Sequence, residues 1–545
     1  MKPNIQDSLI AIITKSIQGL KLDKANKLDI FLDLPTDIRF GDLSTNIALR
    51  LSKLLKQPPV EIAKTLVEAI NSNLKGSPLA EYVKETKAEG AGFINFYLED
   101  KYFYEQLKGL LEKGSDALKL NLGKSRSVLI EFVSANPTGP LSVAHARQAA
   151  VGDSLGNILS FLGFKVKREY YINDEGNQIN ILGESVGLRL KELNGEKIEF
   201  PENYYQGDYI YEIARKVHSS KFIVHSLGEF AANYILGIIK KELDDFGIKF
   251  DCWYSQKELR LSGKVEKALD FLRKKNLIYE QEGAVWLKSS EFGDDKDRVV
   301  IKSDGTYTYI TTDIAYHREK YVRGFDWLIN LWGPDHHGYI NRLKAAVEGL
   351  GHSPDSLSII IVQLATIFKD GKSLEMSTRK GQYITLREVL DEVGRDASRF
   401  FFMMRRTSSH LDFDLDIAKK QTPENPVYYI QYAHARIASI LRTSTLGLKR
   451  DVDLSLLKEP EELSLIKKSL SLPYILNICF ATQDPYMLTL YLQELSMSFH
   501  KFYDLYRVLG QDDSLTLARL ALIEAAKIVL ATGLELLGVS RPEKM

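Results

Sequence analysis

Short apolar runs rich in β-branched residues alternate with helix-like patterns across the middle of the chain, beginning at Ser127. The runs occupy residues 128–133, 165–172, 326–332 and 357–364. Two of them are followed by segments with a helical period, and parallel strands need such helical crossovers. The pattern therefore predicts an α/β domain built on a parallel sheet.

The two ends of the chain have a different texture. The N-terminal part mixes helical patterns with one alternating run at 90–98, which opens with glycines and is typical of an edge strand or a hairpin. The C-terminal part consists of amphipathic helical patterns with Leu, Ile and Tyr stripes, as in a helical bundle. Residues from about 185 to 300 are mainly helical and charged, which indicates an insertion. We therefore expect three domains, at 1–115 (α+β), 116–420 (α/β) and 421–545 (all-α).

Composition narrows the class of protein. The chain has 545 residues, of which 44% are apolar and 26% charged, values that suit a globular protein and exclude a disordered one. Its 72 basic residues balance 72 acidic ones, so net charge gives no indication of a nucleic-acid partner. A nucleic-acid surface would have to be built from local basic and aromatic patches, with the acidic residues placed elsewhere.

Cysteine usage and the start of the chain favour a cytoplasmic protein. Cys252 and Cys479 stand in no C-x-x-C motif, and a chain of this length needs no disulfide, so we expect free thiols and no structural zinc site. Residues 1–20 lack the apolar core of a signal peptide, and the apolar stretch near the C-terminus is interrupted by charges. Neither segment predicts a membrane span.

A turn with two prolines and a glycine joins the first predicted strand to a helix start, in the segment EFVSANPTGPLSVAH from Glu131 to His145. Such a turn leaves the first helical N–H groups unpaired at the carboxyl end of a strand, where open α/β sheets bind ligands and helix termini attract anions. His145 in the first helical turn can donate to a phosphate oxygen. The alternative is an ordinary capped helix with a surface histidine.

The same segment, SANPTGPL followed by H-x-R and AAVGDSLGNIL, resembles the first signature region of arginyl-tRNA synthetases, which are class I aminoacyl-tRNA synthetases. Further blocks resemble this family in the same order along nearly the whole chain. They are YINDEGNQI (171–179), YTYITTDIAYH (307–317), WGPDHHGY (332–339), MSTRKG (376–381), NPVYYIQYAHARI (425–437) and the C-terminal ELLGVSRPEKM. The resemblance implies a Rossmann-type catalytic domain flanked by two tRNA-binding domains.

Two signature sequences of the class are altered in this chain. Ser142 and Ala144 stand where His-Ile-Gly-His has its first histidine and its glycine, so an ATP contact loses a charge and the space for adenine is narrower. The second signature, Lys-Met-Ser-Lys-Ser, reads Glu375-Met-Ser-Thr-Arg379 and lacks both lysines. Arg379 and Lys380 keep this loop cationic, so we expect the phosphate site to persist.

The resemblance places the ATP phosphates at the loop from Gly371 to Gly381. Phosphoryl and nucleotidyl transfer depend on positioning and charge stabilisation, and the cations of this loop would close over the departing pyrophosphate. The alternative is a solvated basic surface loop. The residues implied at ATP are Ser134, Asn136, Pro137, Thr138, Gly139, His145, Gly333, Asp335, His336, Met376 and Ser377. Those implied in catalysis are Ser142, His145, Arg379 and Lys380.

A histidine pair beside an aspartate invites a metal hypothesis. Asp335, which suits ribose hydroxyls, is followed by His336 and His337. Adjacent side chains diverge in direction and no fourth ligand is apparent, so we expect no metal held by the protein itself. Mg²⁺ is expected to accompany ATP.

For the amino acid, the resemblance places Tyr309 and Asp313 at a guanidinium, and Glu131, Asn136 and Tyr339 near the other groups of arginine. A guanidinium needs a planar carboxylate fork and neutral acceptors, in a site that buries no unpaired charge. Such a site would reject lysine and citrulline by leaving its own groups unsatisfied, which can cost a factor of about 10⁴. The alternative for Tyr309 and Asp313 is a cap at a strand end.

Contacts to tRNA are expected on both terminal domains. Tyr432 and Arg436 lie four residues apart on one helical face and, if exposed, can stack on unpaired bases. The alternative for a tyrosine stripe is bundle core. The resemblance adds His434 on the same helix, and Phe93 and Asn95 in the N-terminal domain.

The activity that the resemblance implies is that of a monomeric arginine–tRNA ligase, which activates L-arginine with ATP and transfers it to the 3′-terminal adenosine of tRNA(Arg). One alternative is another class I synthetase, such as the cysteine-specific one, which Tyr309 and Asp313 disfavour. The other is a catalytically impaired tRNA-binding paralogue, which would explain Ser142, Glu375 and Thr378. A mere RNA binder, however, needs neither the pocket carboxylates nor the ATP-side residues.

Overall fold

The computed structural model describes residues 5–20, 28–35, 37–219, 226–374, 383–447 and 451–545. The chain forms two compact units. The first contains the described residues of 1–114, 448–470 and 510–522. The second contains those of 115–447, 471–509 and 523–545.

The N-terminal part of the first unit packs helices on a small sheet. Its helices are α1 (Ile5–Gly19), α2 (Ile47–Leu55), α3 (Pro59–Leu74) and α4 (Asp100–Lys113), and its strands are β1 (Leu43–Thr45), β2 (Val83–Glu89) and β3 (Phe93–Leu98). Helix α3 buries Ile62, Leu66 and Ile70, which recur every four residues and so share one face.

The alternating run at 90–98 is the central strand of this sheet. β3 pairs antiparallel with β2 across a tight turn, so the predicted hairpin is confirmed. The predicted edge position is wrong, because the three-residue strand β1 pairs with the other side of β3 and gives the order β1-β3-β2. A strand as short as β1 leaves no clear period in the sequence.

The rest of the chain contains eleven further strands and fifteen further helices within the described residues. The strands are β4 (Ser127–Glu131), β5 (Lys165–Ile172), β6 (Cys252–Ser255), β7 (Ile278–Gln281), β8 (Ala284–Leu287), β9 (Arg298–Ile301), β10 (Trp327–Trp332), β11 (Leu357–Ile361), β12 (Ala365–Lys369), β13 (Lys372–Ser373) and β14 (Leu411–Asp414). The helices up to the C-terminal part are α5 (Val143–Phe161), α6 (Asn177–Leu193), α7 (Asp208–His218), α8 (Leu227–Asp245), α9 (Gln256–Leu261), α10 (Lys264–Lys274), α11 (Tyr309–Val322), α12 (Ile340–Gly349), α13 (Leu386–Phe402) and α14 (Leu415–Lys419). The last five are α15 (Pro426–Thr443), α16 (Pro460–Leu470), α17 (Leu472–Thr482), α18 (Tyr486–Leu505) and α19 (Asp513–Leu536).

A five-stranded parallel sheet in the order β11-β10-β4-β5-β6 is the centre of the second unit, as predicted. The chain passes from β4 to β5 and β6 on one side and then returns to β10 and β11 on the other. The strand order therefore reverses between β4 and β10. In open parallel sheets, ligands bind outside the carboxyl ends of the strands at such a switch point.

The range from 185 to 300 contains a second kind of structure besides its helices. Strands β7, β8 and β9 form an antiparallel sheet. The turn between β7 and β8 is Glu282-Gly283, whose φ angles of 54° and 73° suit a two-residue hairpin. A Glu-Gly pair is a weaker hairpin signal than Asn-Gly, and the helical pattern around it hides the short strands.

The C-terminal part is helical, as predicted. Helix α15 is capped by Asn425, whose side-chain oxygen accepts the N–H groups of Val427 and Tyr428, and Pro426 occupies the first helical position. Helix α16 belongs to the first unit, where Lys467 pairs with Asp42 at 2.6 Å.

Both cysteines are free thiols, as predicted. Burial raises the pKa of Cys252 to about 11 and that of Cys479 to about 12, so neither is a thiolate at neutral pH. Across the described ranges, no helix has the length and apolar character that a membrane span requires.

Candidate active site

The turn after β4 has an unusual backbone. Val133 and Ser134 both have positive φ, at 68° and 41°, a region that residues other than glycine seldom adopt. The Ser134 hydroxyl donates to Glu131 Oε1 and accepts the Tyr171 N–H, each at 3.1 Å. This hydroxyl, which the sequence placed at ATP, therefore ties the turn to the neighbouring strand β5.

Helix α5 starts at this turn, with Ser142 as its N-cap residue. The Ser142 N–H donates to Nδ1 of His145 at 3.1 Å, and the Ser142 hydroxyl lies equally close to that nitrogen. Burial lowers the pKa of His145 to about 4, against the opposing effect of the Asp335 carboxylate. His145 is therefore neutral at physiological pH, and its Nε2–H is available as a donor.

The segment after the second signature is bonded to the start of α5. The Val143 N–H donates to Ile384 O at 3.2 Å, and the Leu386 N–H donates to Leu141 O at 2.7 Å. The Tyr383 hydroxyl donates to Pro140 O at 3.0 Å. The predicted residues Glu375, Met376, Ser377, Thr378, Arg379 and Lys380 lie outside the described residues.

The described start of the loop is a short hairpin. Strand β13 pairs with β12, and Gly371 between them has a φ of 70°, in the left-handed region. Lys369 pairs with Glu392 at 2.6 Å, whereas Lys372 is exposed. Of the two lysines before the signature, Lys369 therefore has its charge compensated within the protein.

The turn segment around Asn136 is held by aromatic hydroxyls. The Asn136 amide donates to Gln178 Oε1 at 2.6 Å, and the Tyr209 hydroxyl donates to Thr138 O at 2.8 Å. A Cβ atom on Gly139 would lie 3.1 Å from the Tyr383 hydroxyl, so a larger residue would crowd this turn. Pro137 is buried beside it.

The carboxyl end of β10 faces the same switch point. Gly333 precedes a turn of 3₁₀-helix at Pro334–Tyr339, and a Cβ atom on it would lie 2.5 Å from Asp335 Oδ1. Asp335 and His336 are exposed, with their side chains 3.4 Å apart. Within the ranges that the structure describes, no three His, Cys, Asp or Glu side chains are grouped so that they could hold a metal ion.

Asp313 is a carboxylate with a raised pKa on helix α11. It lies on α11, one turn after Tyr309, and the Tyr339 hydroxyl donates to its Oδ2 at 2.6 Å. Burial raises the pKa of Asp313 to about 6, the Tyr339 hydrogen bond lowers it, and the charge of Glu131 raises it. Tyr309 is 84% exposed. Both residues belong to a helix, so the alternative of a strand-end cap is wrong.

Glu131 is a second carboxylate near Asp313, and it is buried, with 7% of its surface exposed. Lys320, whose side chain is wholly buried, lies 2.5 Å from its Oε2. In the sheet, Glu131 is paired with Asn330 of β10 on one side and with Glu169 of β5 on the other. The carboxylate that the sequence placed near arginine thus already has a counter-ion, which sequence reasoning did not identify.

Three family descriptions match the chain in order. They are the arginyl tRNA synthetase N terminal domain at residues 7–98, the catalytic domain of tRNA synthetases class I (R) at 106–408, and the DALR anticodon binding domain at 430–545. The arginine–tRNA ligase of Citrifermentans bemidjiense is 46% identical over 560 residues, which cover 99% of this chain and 100% of that protein. The chain belongs to the arginyl-tRNA synthetase family.

Further relatives agree with this membership. The arginine–tRNA ligase of Anoxybacillus flavithermus is 44% identical over 559 residues, covering 100% of this chain and 99% of its own. The solved arginyl-tRNA synthetase of Thermus thermophilus superposes with a TM-score of 0.79 at 22% identity, covering 99% of this chain and 100% of its own. The superposition on the Thermus thermophilus structure shows that the fold is shared as well.

In this arginyl-tRNA synthetase family member, the predicted tRNA residues of α15 divide between surface and core. Tyr432 is 39% exposed and stacks on His500, with ring centroids 5.8 Å apart, and Arg436 donates to the Tyr503 hydroxyl at 3.0 Å. His434 is only 1% exposed, and its Nδ1 lies 2.9 Å from Pro542 O. The prediction for His434 needs correction, because its ring faces the core of the second unit and is not presented to RNA.

The two residues predicted to contact tRNA in the N-terminal domain, Phe93 and Asn95, also divide between surface and core. Phe93 is 42% exposed, whereas Asn95 is 2% exposed. The Ser44 hydroxyl donates to Asn95 Oδ1, and the Asn95 amide donates to Glu89 Oε2, both at 2.6 Å. Asn95 is therefore a buried cross-strand link, and a direct contact of its amide with RNA is not supported.

The spacing of polar residues along α11 contained a signal for Lys320, which the sequence analysis did not identify. Asp313, His317 and Lys320 stand at i, i+4 and i+7, which places them on one face of a helix. A polar row on a face that also carries buried Ile310 and Ile314 predicts buried, paired groups. The partner of Lys320 could not be read in this way, because Glu131 lies 189 residues earlier.

Proposed function

We propose that this protein is an arginine–tRNA ligase, which activates L-arginine with ATP to arginyl-adenylate and transfers it to the 3′-terminal adenosine of tRNA(Arg). The observation that carries this proposal is the convergence of two sites at one switch point of a class I catalytic domain. The start of α5 offers a neutral histidine donor for phosphate, and the region around β10 and α11 offers a partly buried carboxylate, Asp313, for a cation.

In the first step, a carboxylate oxygen of arginine attacks the α-phosphorus of ATP. A new O–P bond forms as the bond from that phosphorus to the bridging oxygen breaks, and pyrophosphate leaves. We propose that the Nε2–H of His145 donates to a phosphate oxygen and that Arg379 and Lys380 stabilise the leaving pyrophosphate. The further ATP contacts proposed are Ser134, Asn136, Pro137, Thr138, Gly139, Ser142, Gly333, Asp335, His336, Met376 and Ser377.

In the second step, a ribose hydroxyl of the terminal adenosine attacks the carbonyl carbon of the adenylate. The ester bond forms and the hydroxyl proton is lost, while the bond from the carbonyl carbon to the oxygen that it shares with the phosphate breaks, and AMP leaves with that oxygen and the electron pair of the broken bond. Neither step needs a covalent bond to the enzyme, because orientation of the bound reactants supplies much of the acceleration.

The acidic pocket supports arginine as the amino acid. Asp313, which Tyr339 orients, is proposed to receive the guanidinium together with Tyr309. A partly buried carboxylate with a raised pKa is stabilised by an arriving permanent cation, since arginine stays charged at all relevant pH values. Glu131 and Asn136 are proposed near the α-amino and carboxylate groups.

Finer features are also part of the proposal. We propose that Mg²⁺ enters with ATP, that the enzyme acts as a monomer in the cytoplasm, and that its domains divide at about residues 115 and 420. Exposed Phe93, Tyr432 and Arg436 support tRNA contacts on both terminal domains.

The decisive experiment is charging of tRNA with each of the twenty amino acids, with and without magnesium and ATP. We expect transfer of arginine alone, and only when both magnesium and ATP are present. Transfer of another amino acid would indicate a different class I specificity. Specific tRNA binding without any charging would support the impaired paralogue and overturn the proposal.

A further inference from the structure

A continuous series of hydrogen bonds connects the buried carboxylate of Glu131 with the main-chain oxygen of Asp313. Lys320 Nζ lies 2.5 Å from Glu131 Oε2 and 3.1 Å from Asn330 Oδ1. The Asn330 amide nitrogen lies 2.9 Å from His317 Nε2. His317 Nδ1 lies 2.8 Å from the backbone oxygen of Asp313. This series of hydrogen bonds therefore passes from the end of β4, through β10, to the first turns of α11.

The hydrogen bonds of this series can all be assigned a donor and an acceptor without conflict. The backbone oxygen of Asp313 can only accept, so His317 Nδ1 carries the proton and Nε2 accepts from the Asn330 amide. The amide oxygen of Asn330 is then free to accept from the Lys320 ammonium. Burial lowers the pKa of His317 well below its usual value, in agreement with a neutral ring.

The Lys320 side chain has no contact with solvent. Its side chain is wholly buried, and its ammonium lies 4.2 Å from the centroid of the Tyr316 ring, besides the two hydrogen-bonding contacts. A buried lysine with three fixed partners holds those partners in place in return, because separating a buried charge from its counter-ion is costly. Glu131, Asn330 and Tyr316 are thereby held around one point.

We propose that Lys320 is a positioning residue for arginine, which sets the separation of Glu131 and Asp313 through Asn330 and His317. This inference deepens the proposed function and rests on it. Lys320 also compensates the charge of Glu131. Lys320, Glu131 and Asp313 together then carry one net negative charge. A substrate with one positive side chain is then matched, whereas neutral citrulline leaves the charge of Asp313 uncompensated.

The test compares Lys320→Met and two His317 variants in aminoacylation assays, with KM measured separately for arginine and ATP. Lys320→Met is expected to raise the KM for arginine at least about tenfold while the KM for ATP changes less than about twofold, because only the arginine side loses its anchor. His317→Leu breaks this series of hydrogen bonds and is expected to raise the KM for arginine. His317→Gln retains one donor and one acceptor and is expected to remain near wild type.

Arg323→Met is the matched control. Arg323 is the C-cap residue directly after α11 and pairs with buried Glu169 at 2.5 Å, outside the hydrogen bonds that run from Lys320 to Asp313. This variant is expected to lower the midpoint of thermal unfolding without changing the KM for arginine. A purely structural effect of breaking a buried ion pair would make Arg323→Met and Lys320→Met alike in their kinetics.

Several outcomes would overturn the inference. They are an unchanged KM for arginine in folded Lys320→Met, an equal rise of the KM values for arginine and ATP, and identical kinetics of the two His317 variants. If Lys320→Met does not fold, the His317 pair decides the question, since neither of its substitutions leaves a buried charge unpaired. A wild-type protein that charges no arginine would instead contradict the proposed function itself.

Discussion

The backbone N–H of Ser142 donates to Nδ1 of His145 across 3.1 Å, and this contact fixes the tautomer of the histidine. A backbone N–H can only donate, so Nδ1 must be unprotonated and Nε2 must carry the hydrogen. The first signature histidine is absent from this chain, yet the N-cap position that replaces it prepares the second one as a donor. The serine hydroxyl lies at the same distance from Nδ1 and supports this geometry.

The first prediction separates the histidine from the serine. His145→Ala is expected to lower kcat for adenylate formation by about 10², the usual loss when a donor to developing charge is removed. Ser142→Ala keeps the backbone N–H, so it is expected to raise the KM for ATP only a few-fold. ATP–pyrophosphate exchange in the presence of tRNA measures both. Equal ATP parameters in Ser142→Ala and wild type would remove the serine hydroxyl from the ATP site.

The second prediction concerns pH. Below its raised pKa of about 6, Asp313 is protonated and no longer attracts the guanidinium. We therefore expect kcat/KM for arginine to fall about tenfold per pH unit below that value, since kcat/KM reports the free enzyme. A series of aminoacylation assays from pH 5 to 8, with ATP and tRNA saturating, checks this slope.

The hydrogen bond from Tyr339 sets the position of that inflection. The phenol donates to the ionised carboxylate and so lowers the pKa of Asp313. Tyr339→Phe removes this donor, so the inflection is expected to move to higher pH. Asp313→Asn is expected to abolish the inflection and to weaken the binding of arginine. An inflection that is unchanged in Asp313→Asn would assign the titration to another group.

The third prediction uses two helical glycines of the second unit. Gly152 of α5 packs on Phe132, and a Cβ atom there would lie 2.4 Å from the ring, whereas Gly237 of α8 has nothing within 4 Å. Gly152→Ala is expected to lower the free energy of unfolding by about 1–3 kcal/mol through overpacking. Gly237→Ala is expected to raise it by up to about 1 kcal/mol, the helix propensity gain. Denaturant titrations compare the two, and stabilisation by Gly152→Ala would contradict the close packing.

The fourth prediction tests the division of α15 into surface and core. Tyr432→Ala is expected to raise the KM for tRNA by about 5- to 100-fold, through loss of a stacking platform worth about 1–3 kcal/mol, with the KM for arginine unchanged. His434→Ala is expected instead to lower the thermal unfolding midpoint, because it empties a buried position and removes the bond to Pro542 O. A selective rise of the KM for tRNA in a fully stable His434→Ala variant would contradict its assignment to the core.

Much of the fold could be predicted because it depends on local periodicity. The β-branched runs that became β4, β5, β10 and β11 could be identified in the sequence, as could the start of α5 just before His145. Short elements were not readable. Strands β1 and β6 have three and four residues, too few to show a period, and both are strands only because longer neighbours pair with them.

By itself, the sequence determined the order of the elements, the turn that opens α5 and the family to which the chain belongs. Tertiary structure alone decided which polar residues are solvent-exposed and which are paired. Asn330 lies beside Glu131 because β10 pairs with β4 in one particular register, and Lys320 of α11 contacts both residues. Asn95 is buried because β1 covers the other side of β3. Such pairings join residues far apart in the chain, so they depend on how strands align in space, and no local pattern of side chains records that alignment.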